Sequence, residues 1–258
     1  MTKYLIVNAD DYGMAHSVSQ GIREAHLRGI VTSTTVMIGM KDAAADVRTA
    51  QKETPDLGLG LHITVAGKAM SPVLPPDQIP TLVRPDGLFY DQPIWGERGE
   101  AGLLDADELT REINAQFERF VQVANRLPTH LDGHYHAAYF NPVSMAAMRA
   151  LALEHHLPMR YGHESDAAKL EGVAHPTTVF QLDHDELIEA LIAILKGLPD
   201  DEVTELVCHP GYSNDTLFDT DSWTTVREIE VRYLTDERVR AIIAEEQMTL
   251  CTFETLKQ

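Results

Sequence analysis

The stretch YLIVNADDYG, residues 4–13, begins as a short apolar run and ends in two adjacent carboxylates, a tyrosine and a glycine. The run Tyr4–Ala9 predicts a first β-strand, and the amphipathic stretch Ser17–Arg28, which stops at Gly29, predicts the helix that follows. Short apolar runs and longer amphipathic ones continue to alternate, which is the pattern of βαβ units around a parallel sheet. About seven or eight such units favour a single α/β barrel over an open doubly wound sheet.

The rest of the chain supplies the remaining units. Further strands are predicted at Val31–Ile38, Leu57–Thr64, Thr129–His134, Met159–Tyr161, Thr177–Leu182, Val203–Cys208 and Met248–Phe253. Further helices are predicted at Ala43–Glu53, Asp105–Arg126, Pro142–His155, Asp185–Lys196 and Asp236–Glu246. The exception is a proline-rich excursion over about residues 66–102, which is too long for an ordinary connection and predicts a functional loop or lid.

Composition excludes several classes of function. The 258 residues carry 21 basic and 40 acidic side chains, a net charge of −19, which argues against nucleic acid or an anionic membrane as partner. Two cysteines provide neither a disulfide framework nor a zinc–thiolate cluster. Acidic residues occur too early in the N-terminal stretch for a signal peptide, and no apolar run is long enough to span a bilayer. We therefore expect a cytoplasmic protein of one domain, residues 1–258.

Polar residues gather where predicted strands end. The carboxyl ends of parallel strands in a barrel share one face, so these side chains should lie close together. Packing alone hardly explains histidine or carboxylate at the ends of four strands. The residues concerned are Asp10, Asp11, His62, Asp132, His134 and His209.

Strand alternation sharpens this picture. In LGLGLHIT, residues 57–64, one face is apolar and the other carries Gly58, Gly60 and His62, which predicts open space beneath the histidine, like a pocket floor. The same alternation places His130, Asp132, His134 and His136 on one face of a later strand. Asp10 and Asp11 would point opposite ways on a regular strand, so both reach one site only if the chain turns, which Gly13 makes feasible.

Two imidazoles and one carboxylate, with positions left for water, form the ligand set of a hydrolytic Zn²⁺ or related divalent site. We therefore predict Asp11, His62 and His134 as ligands, Asp10 as general base and His209 as general acid, with Asp132 or His136 supporting them.

Structural alternatives remain for these residues. The two aspartates could form a turn that binds its own backbone, and His209 could simply end a strand. His136 could lie on the surface. Arg160, at another strand end, could orient Asp10, bind substrate or pack against a helix.

Five segments carry a family resemblance: residues 5–13 (LIVNADDYG), 29–35 (GIVTSTT), 60–62 (GLH), 128–134 (PTHLDGH) and 208–211 (CHPG). In this order they resemble the YdjC-like carbohydrate deacetylases. The resemblance implies a distorted (β/α) barrel of about seven strands, removal of N-acetyl groups from amino sugars with one divalent metal ion (Mg²⁺ or Zn²⁺), and a homodimer. It also implies the same ligands, base and catalytic histidine, while Gly133 and Ala138 depart from the family pattern.

An acetylated sugar as substrate gives the aromatic residues of the excursion two readings. Phe89, Tyr90 and Trp95 could stack on a sugar ring or pin the loop to the body of the protein. Two other functions stay open: a metallo-hydrolase of another bond, such as a phosphoester, and a non-catalytic sugar-binding barrel. A glycosidase is disfavoured, because adjacent aspartates hardly reach the carboxyl separation of about 5 Å or more that flanks a sugar.

Overall fold

The computed structural model describes residues 2–160, 171–173, 184–213 and 224–256. Its centre is a sheet of parallel strands in the order β4-β3-β2-β1-β6-β5, with a two-residue strand, β7, that pairs with β1 away from this path. The strands are β1 (Tyr4–Tyr12), β2 (Ser33–Val36), β3 (Gly58–Ile63), β4 (Leu131–Gly133), β5 (Glu171–Val173), β6 (Val203–Cys208) and β7 (Thr249–Leu250).

Helices follow most of the strands, as expected of βαβ units. They are α1 (His16–Arg28), α2 (Ala43–Glu53), α3 (Gln92–Glu100), α4 (Ala106–Ala124), α5 (Ala137–Phe140), α6 (Pro142–Glu154), α7 (His184–Lys196), α8 (Thr224–Thr235) and α9 (Glu237–Glu245). Within the described ranges, no helix combines the length and the apolar character needed to cross a membrane.

The central strand β1 is buried on both faces, which is usual for a parallel sheet between other layers. Leu5, Val7 and Ala9 belong to the apolar core. Asn8 and Asp10, on the alternate face, are also buried. The two faces of β1 therefore separate the apolar packing from a polar interior, and the functional side chains lie on the polar side.

The predicted α/β class with a parallel sheet is confirmed. The bounds of α2 and β6 are the same as those predicted from the sequence, whereas α3, α5, α8 and β5 were not predicted. Met159 forms an isolated parallel bridge to Leu131, which extends the pairing beyond β4. The predicted strand Thr177–Leu182 lies outside the described residues, and so does Tyr161. Closure into a barrel of about seven strands stays a prediction.

The excursion over residues 66–102 packs tightly against the body of the protein. Phe89 and Trp95 are buried in the core, so they pin the loop and do not offer a surface to a sugar. The carboxylate of Glu112 on α4 accepts the backbone N–H groups of Val73 and Leu74, at 2.8 and 2.9 Å. These contacts attach parts of the excursion to the core and to α4; whether any part of it acts as a lid stays a prediction.

Candidate metal centre and active site

A bulge at the end of β1 brings both aspartates to the same site. Asp11 has a φ of 73°, and the register between β1 and β2 shifts between Ala9 and Tyr12. Aspartate tolerates this left-handed conformation better than most residues. Asp10 and Asp11 each place an oxygen within 4.8 Å of a ring nitrogen of His62. The turn that the sequence required is therefore made at Asp11 itself, two residues before Gly13.

Three buried side chains converge to form what we call the ligand cluster: Asp11, His62 and His134. Oδ1 of Asp11 lies 3.2 Å from Nε2 of His62 and 3.0 Å from Nδ1 of His134. The two ring nitrogens are 3.3 Å apart. Two imidazole nitrogens and one carboxylate oxygen aimed at one point are the donor set of a catalytic zinc site with three protein ligands. The residues present therefore fit a divalent metal ion.

A buried carboxylate fixes the orientation of His62. Its Nδ1 lies 2.7 Å from Oδ1 of Asp132, and Thr35 donates a hydrogen bond to Oδ2 of the same carboxylate at 2.9 Å. If Nδ1 carries the proton in this pair, Nε2 presents its lone pair to the ligand cluster. Burial by itself lowers the pKa of His62, but the charge of Asp132 and the hydrogen bond to Asp11 raise it to about 10. The carboxylates of Asp11 and Asp132, which contact this ring, would likewise attract a metal cation.

Asp10 lies beside the ligand cluster and is paired with an arginine. Nη1 and Nη2 of Arg160 each donate to a different oxygen of Asp10, both at 2.8 Å, and Asn8 donates to Oδ1 at 2.8 Å. Burial acts to raise the pKa of Asp10, but the Arg160 guanidinium outweighs it and holds that pKa well below its usual range. Asp10 is therefore an ionised carboxylate, able to accept a hydrogen bond from a reacting group.

Arg160 is 1% exposed and is shared by three carboxylates. Besides Asp10 it contacts Oδ2 of Asp132 at 3.1 Å, and its Nε donates to Glu205 at 2.8 Å. We call Arg160, Asp10, Asp132 and Glu205 the arginine cluster. Of the alternatives that the sequence left open, the structure supports orientation of Asp10, because a guanidinium this enclosed has no surface for a sugar.

The histidines at the end of β4 do not follow strand alternation. The strand ends at Gly133, and a 3₁₀ turn over His134–His136 places Tyr135 and His136 at positive φ. His134 still reaches the ligand cluster. His136 is half-buried with its ring 5.9 Å from that of Tyr139. Strand alternation therefore does not extend beyond Gly133, and a supporting role of His136 at the site stays a prediction.

The predicted pocket floor beneath His62 is also wrong. A Cβ added at Gly60 would lie 2.4 Å from Cε1 of His130 and 2.7 Å from Cγ2 of Thr35. The ring of His130 in turn stacks on Phe253, with centroids 3.5 Å apart. The missing side chain at Gly60 thus makes room for His130 and leaves no cavity there.

His209, at the end of β6, approaches the site from the opposite side. Its Nε2 lies 3.9 Å from Oδ2 of Asp10, and its side chain is 16% exposed. Its backbone N–H donates to Glu230, and its carbonyl accepts from Arg227 at 3.3 Å. The position next to Asp10, with access to solvent, suits a group that exchanges a proton with substrate.

Sequence reasoning missed several charged residues of the site. Glu205 lies in the middle of a mostly apolar strand, and such a charge was a signal that could have been used. Arg227 and Glu230 lie on α8, which was not predicted, and charged residues on a helix are usually solvated. Both are 2% exposed and point toward the ends of β1 and β6.

This chain is similar over nearly its full length to several known proteins. A carbohydrate deacetylase of Enterococcus faecalis is 31% identical over 98% of this chain and 98% of its own. A chitooligosaccharide deacetylase of Serratia marcescens is 33% identical over 99% and 100%. A crystal structure from Enterococcus faecalis V583, provisionally described as a cellobiose-phosphate cleavage protein, has a TM-score of 0.85 at 28% identity and covers 99% of both chains.

A family model described as "YdjC-like protein" matches residues 4–245. That match spans strands β1–β6, the ligand cluster and the arginine cluster, and it agrees with the resemblance seen in the sequence motifs. The chain belongs to the YdjC-like protein family.

Proposed function

We propose that this protein is a divalent-metal-dependent hydrolase that removes N-acetyl groups from amino sugars or short oligosaccharides such as chitooligosaccharides. The observation that carries the proposal is the convergence of Asp11, His62 and His134 on one point. The names of the full-length relatives support the carbohydrate deacetylase class. Two imidazole donors favour Zn²⁺ over Mg²⁺, which prefers oxygen ligands.

In this proposal, Asp11, His62 and His134 hold the metal ion, which would acidify a water molecule and polarise the acetyl carbonyl. Asp10 accepts the proton of the attacking water, because its carboxylate lies beside the ligand cluster in an orientation fixed by Arg160. Water oxygen bonds to the carbonyl carbon, and the carbon–nitrogen bond then breaks. His209 donates a proton to the leaving nitrogen, so that the products are acetate and the free amine.

The charge distribution suits a neutral substrate. A protein of net charge −19 disfavours a polyanion and favours the release of a cationic amine. A phosphoester hydrolase would need cations for the phosphate, and the two site arginines, Arg160 and Arg227, are both buried against carboxylates. The homodimer and the cytoplasmic location stay predictions.

Free acetate released from N-acetylglucosamine oligomers tests the proposal. Wild-type protein loaded with Zn²⁺ or Mg²⁺ should release acetate, and a chelator should abolish the release until metal is restored. His134→Ala should lose both metal and activity, whereas the matched surface variant His184→Ala should keep them, because His184 is exposed on α7. Absence of acetate from several acetylated sugars with any metal would refute the proposal, and retained sugar binding would then favour a binding role.

A further inference from the structure

Two charged side chains of helix α8 are buried at the ends of two central strands. Arg227 and Glu230 lie three residues apart on the helix, so they share one face, and each is 2% exposed. Burying charges of this kind costs free energy unless each one is paired. Arg227 is paired with Asp11, in the bulge of β1, and Glu230 accepts a hydrogen bond from His209, after β6.

Arg227 connects these two strand ends directly. Its Nη2 donates to Oδ2 of Asp11 at 2.6 Å, while its Nη1 donates to the carbonyl of His209 at 3.3 Å. Because Oδ2 of Asp11 is held by the guanidinium, Oδ1 is the oxygen that faces His62 and His134. One planar side chain thus orients the carboxylate and anchors the segment that carries His209.

Glu230 completes the attachment of His209. Its carboxylate accepts the backbone N–H of His209, so that both backbone polar groups of this residue are bonded to side chains of α8. The close approach depends on Gly211, where an added Cβ would lie 3.2 Å from Cδ of Arg227. Helix α8 therefore anchors the segment that carries His209, beyond the last β1–β6 pair at Ala9 and Cys208, to Asp11.

We propose that Arg227 and Glu230 are positioning residues: Arg227 holds Asp11 as a single-oxygen metal ligand, and together with Glu230 it places His209 for proton transfer. This inference rests on the proposed function for the role of His209, but its first half concerns metal binding alone. Partners of this kind, bonded to a metal ligand, typically contribute about 10- to 100-fold to metal affinity or activity.

Two physical effects of Arg227 have opposite signs. As a cation near the site it repels a metal ion, so its removal would tighten binding if charge were its only role. As an orienting donor it keeps Oδ1 of Asp11 aimed at the imidazoles, so its removal would weaken binding. The positioning role predicts that the second effect prevails.

Calorimetric titration of the metal-free protein with Zn²⁺ separates these effects. Arg227→Gln should bind Zn²⁺ about tenfold or more weakly than wild type. Arg232→Gln, an arginine change at an exposed position of the same helix, should bind like wild type. Arg227→Lys keeps the charge but cannot reproduce the two-pronged donation, so its affinity should fall between those of wild type and Arg227→Gln.

Glu230→Leu tests the second half of the inference, and Glu230→Gln, whose amide oxygen can still accept the backbone N–H of His209, is its matched control. Glu230→Leu should keep its Zn²⁺ affinity and its KM within about twofold while kcat falls by about tenfold or more, because His209 loses an anchor, and Glu230→Gln should keep a kcat near that of wild type. A purely structural role would instead lower the melting temperature and leave kcat of the remaining folded protein unchanged. Thermal unfolding of each variant supplies that control, and Arg227→Lys decides the first half if Arg227→Gln does not fold.

The outcomes distinguish this inference from the proposed function. Unchanged or tighter Zn²⁺ binding by folded Arg227 variants overturns the role assigned to Arg227, whatever the enzyme activity. Unchanged kcat in folded Glu230→Leu, with an active wild type, overturns the placement of His209. An inactive wild type refutes the deacetylase proposal instead, and the Zn²⁺ titrations still decide the role of Arg227.

Discussion

The ligand cluster and the arginine cluster are neighbours, both are buried, and each contains one of the two adjacent aspartates. They differ in the groups that the carboxylate oxygens facing the site contact. In the arginine cluster, Arg160 lies between Asp10, Asp132 and Glu205 and supplies the positive charge itself. In the ligand cluster, Oδ1 of Asp11 faces only imidazole nitrogens among its described contacts, an arrangement suited to an added cation.

This difference explains how adjacent residues of one type take different roles. Asp10 is kept ionised by a fixed guanidinium and is available to accept a proton. Asp11 gives one oxygen to Arg227 and the other to the ligand cluster. Asp132 links the clusters, since Oδ1 contacts His62 and Oδ2 contacts Arg160.

The largest expected effect comes from breaking the ligand cluster. His62→Ala removes one of three ligand atoms, so the protein should lose its metal affinity and its deacetylase activity should fall by about 10³-fold or more, as several kcal/mol of charge stabilisation disappears. Zn²⁺ titration and acetate release measure the two losses. Zn²⁺ affinity close to that of wild type would show that the three converging atoms are not the metal site.

Asp10→Asn should distinguish the role of the arginine cluster in catalysis from that of the ligand cluster in metal binding. The amide cannot accept the proton of water, so kcat should fall by about 10²- to 10³-fold, whereas Zn²⁺ affinity should stay near that of wild type. The measurements are those used for His62→Ala, made on the same preparations. Loss of metal together with activity would place Asp10 among the ligands and would contradict the division into two clusters.

The arginine cluster should make stability depend on pH through Glu205. Burial raises the pKa of Glu205 from 4.5 to about 7, although Arg160 opposes this. In the folded state Glu205 then keeps its proton to a higher pH than in the unfolded state. As the pH rises from 4.5 to about 7, its contribution to the free energy of unfolding therefore falls by up to about 3 kcal/mol.

Glu205→Gln should remove that part of the pH dependence. Urea unfolding of the variant and of wild type between pH 4.5 and 7 measures the difference in slope. Glu202→Gln is the matched control, because Glu202 is exposed just before the same strand. Equal slopes in all three proteins would show that Glu205 is ionised in the folded state across this range.

Gly60→Ala should have the smallest effect, confined to the packing beneath His62. The new methyl group would overlap the ring of His130, which should cost about 1–3 kcal/mol of unfolding free energy. Gly96→Ala is the control, since nothing lies within 4 Å of its Cβ position in α3, and it should be neutral or slightly stabilising. Equal stability of both variants would reopen the prediction of a cavity below the site.

Much of the site could be predicted because parallel strands present their carboxyl ends on one face. That rule places Asp11, His62 and His134 together without knowledge of any contact. The same reasoning failed where the backbone left the strand conformation, as at the 3₁₀ turn over His134–His136. It also failed at Gly60, where the space left by the missing side chain is occupied by the ring of His130 from a distant part of the chain.

The sequence by itself determined the class of fold and the chemistry available at the strand ends, because both depend on local periodicity and on residue type. The tertiary structure decided which cation meets which carboxylate. Arg160 and Asp10 are 150 residues apart in the chain, and Arg227 and Asp11 are 216 apart. No local pattern couples such positions. Packing of the segments that carry them, and the need to pair every buried charge, selects the partners.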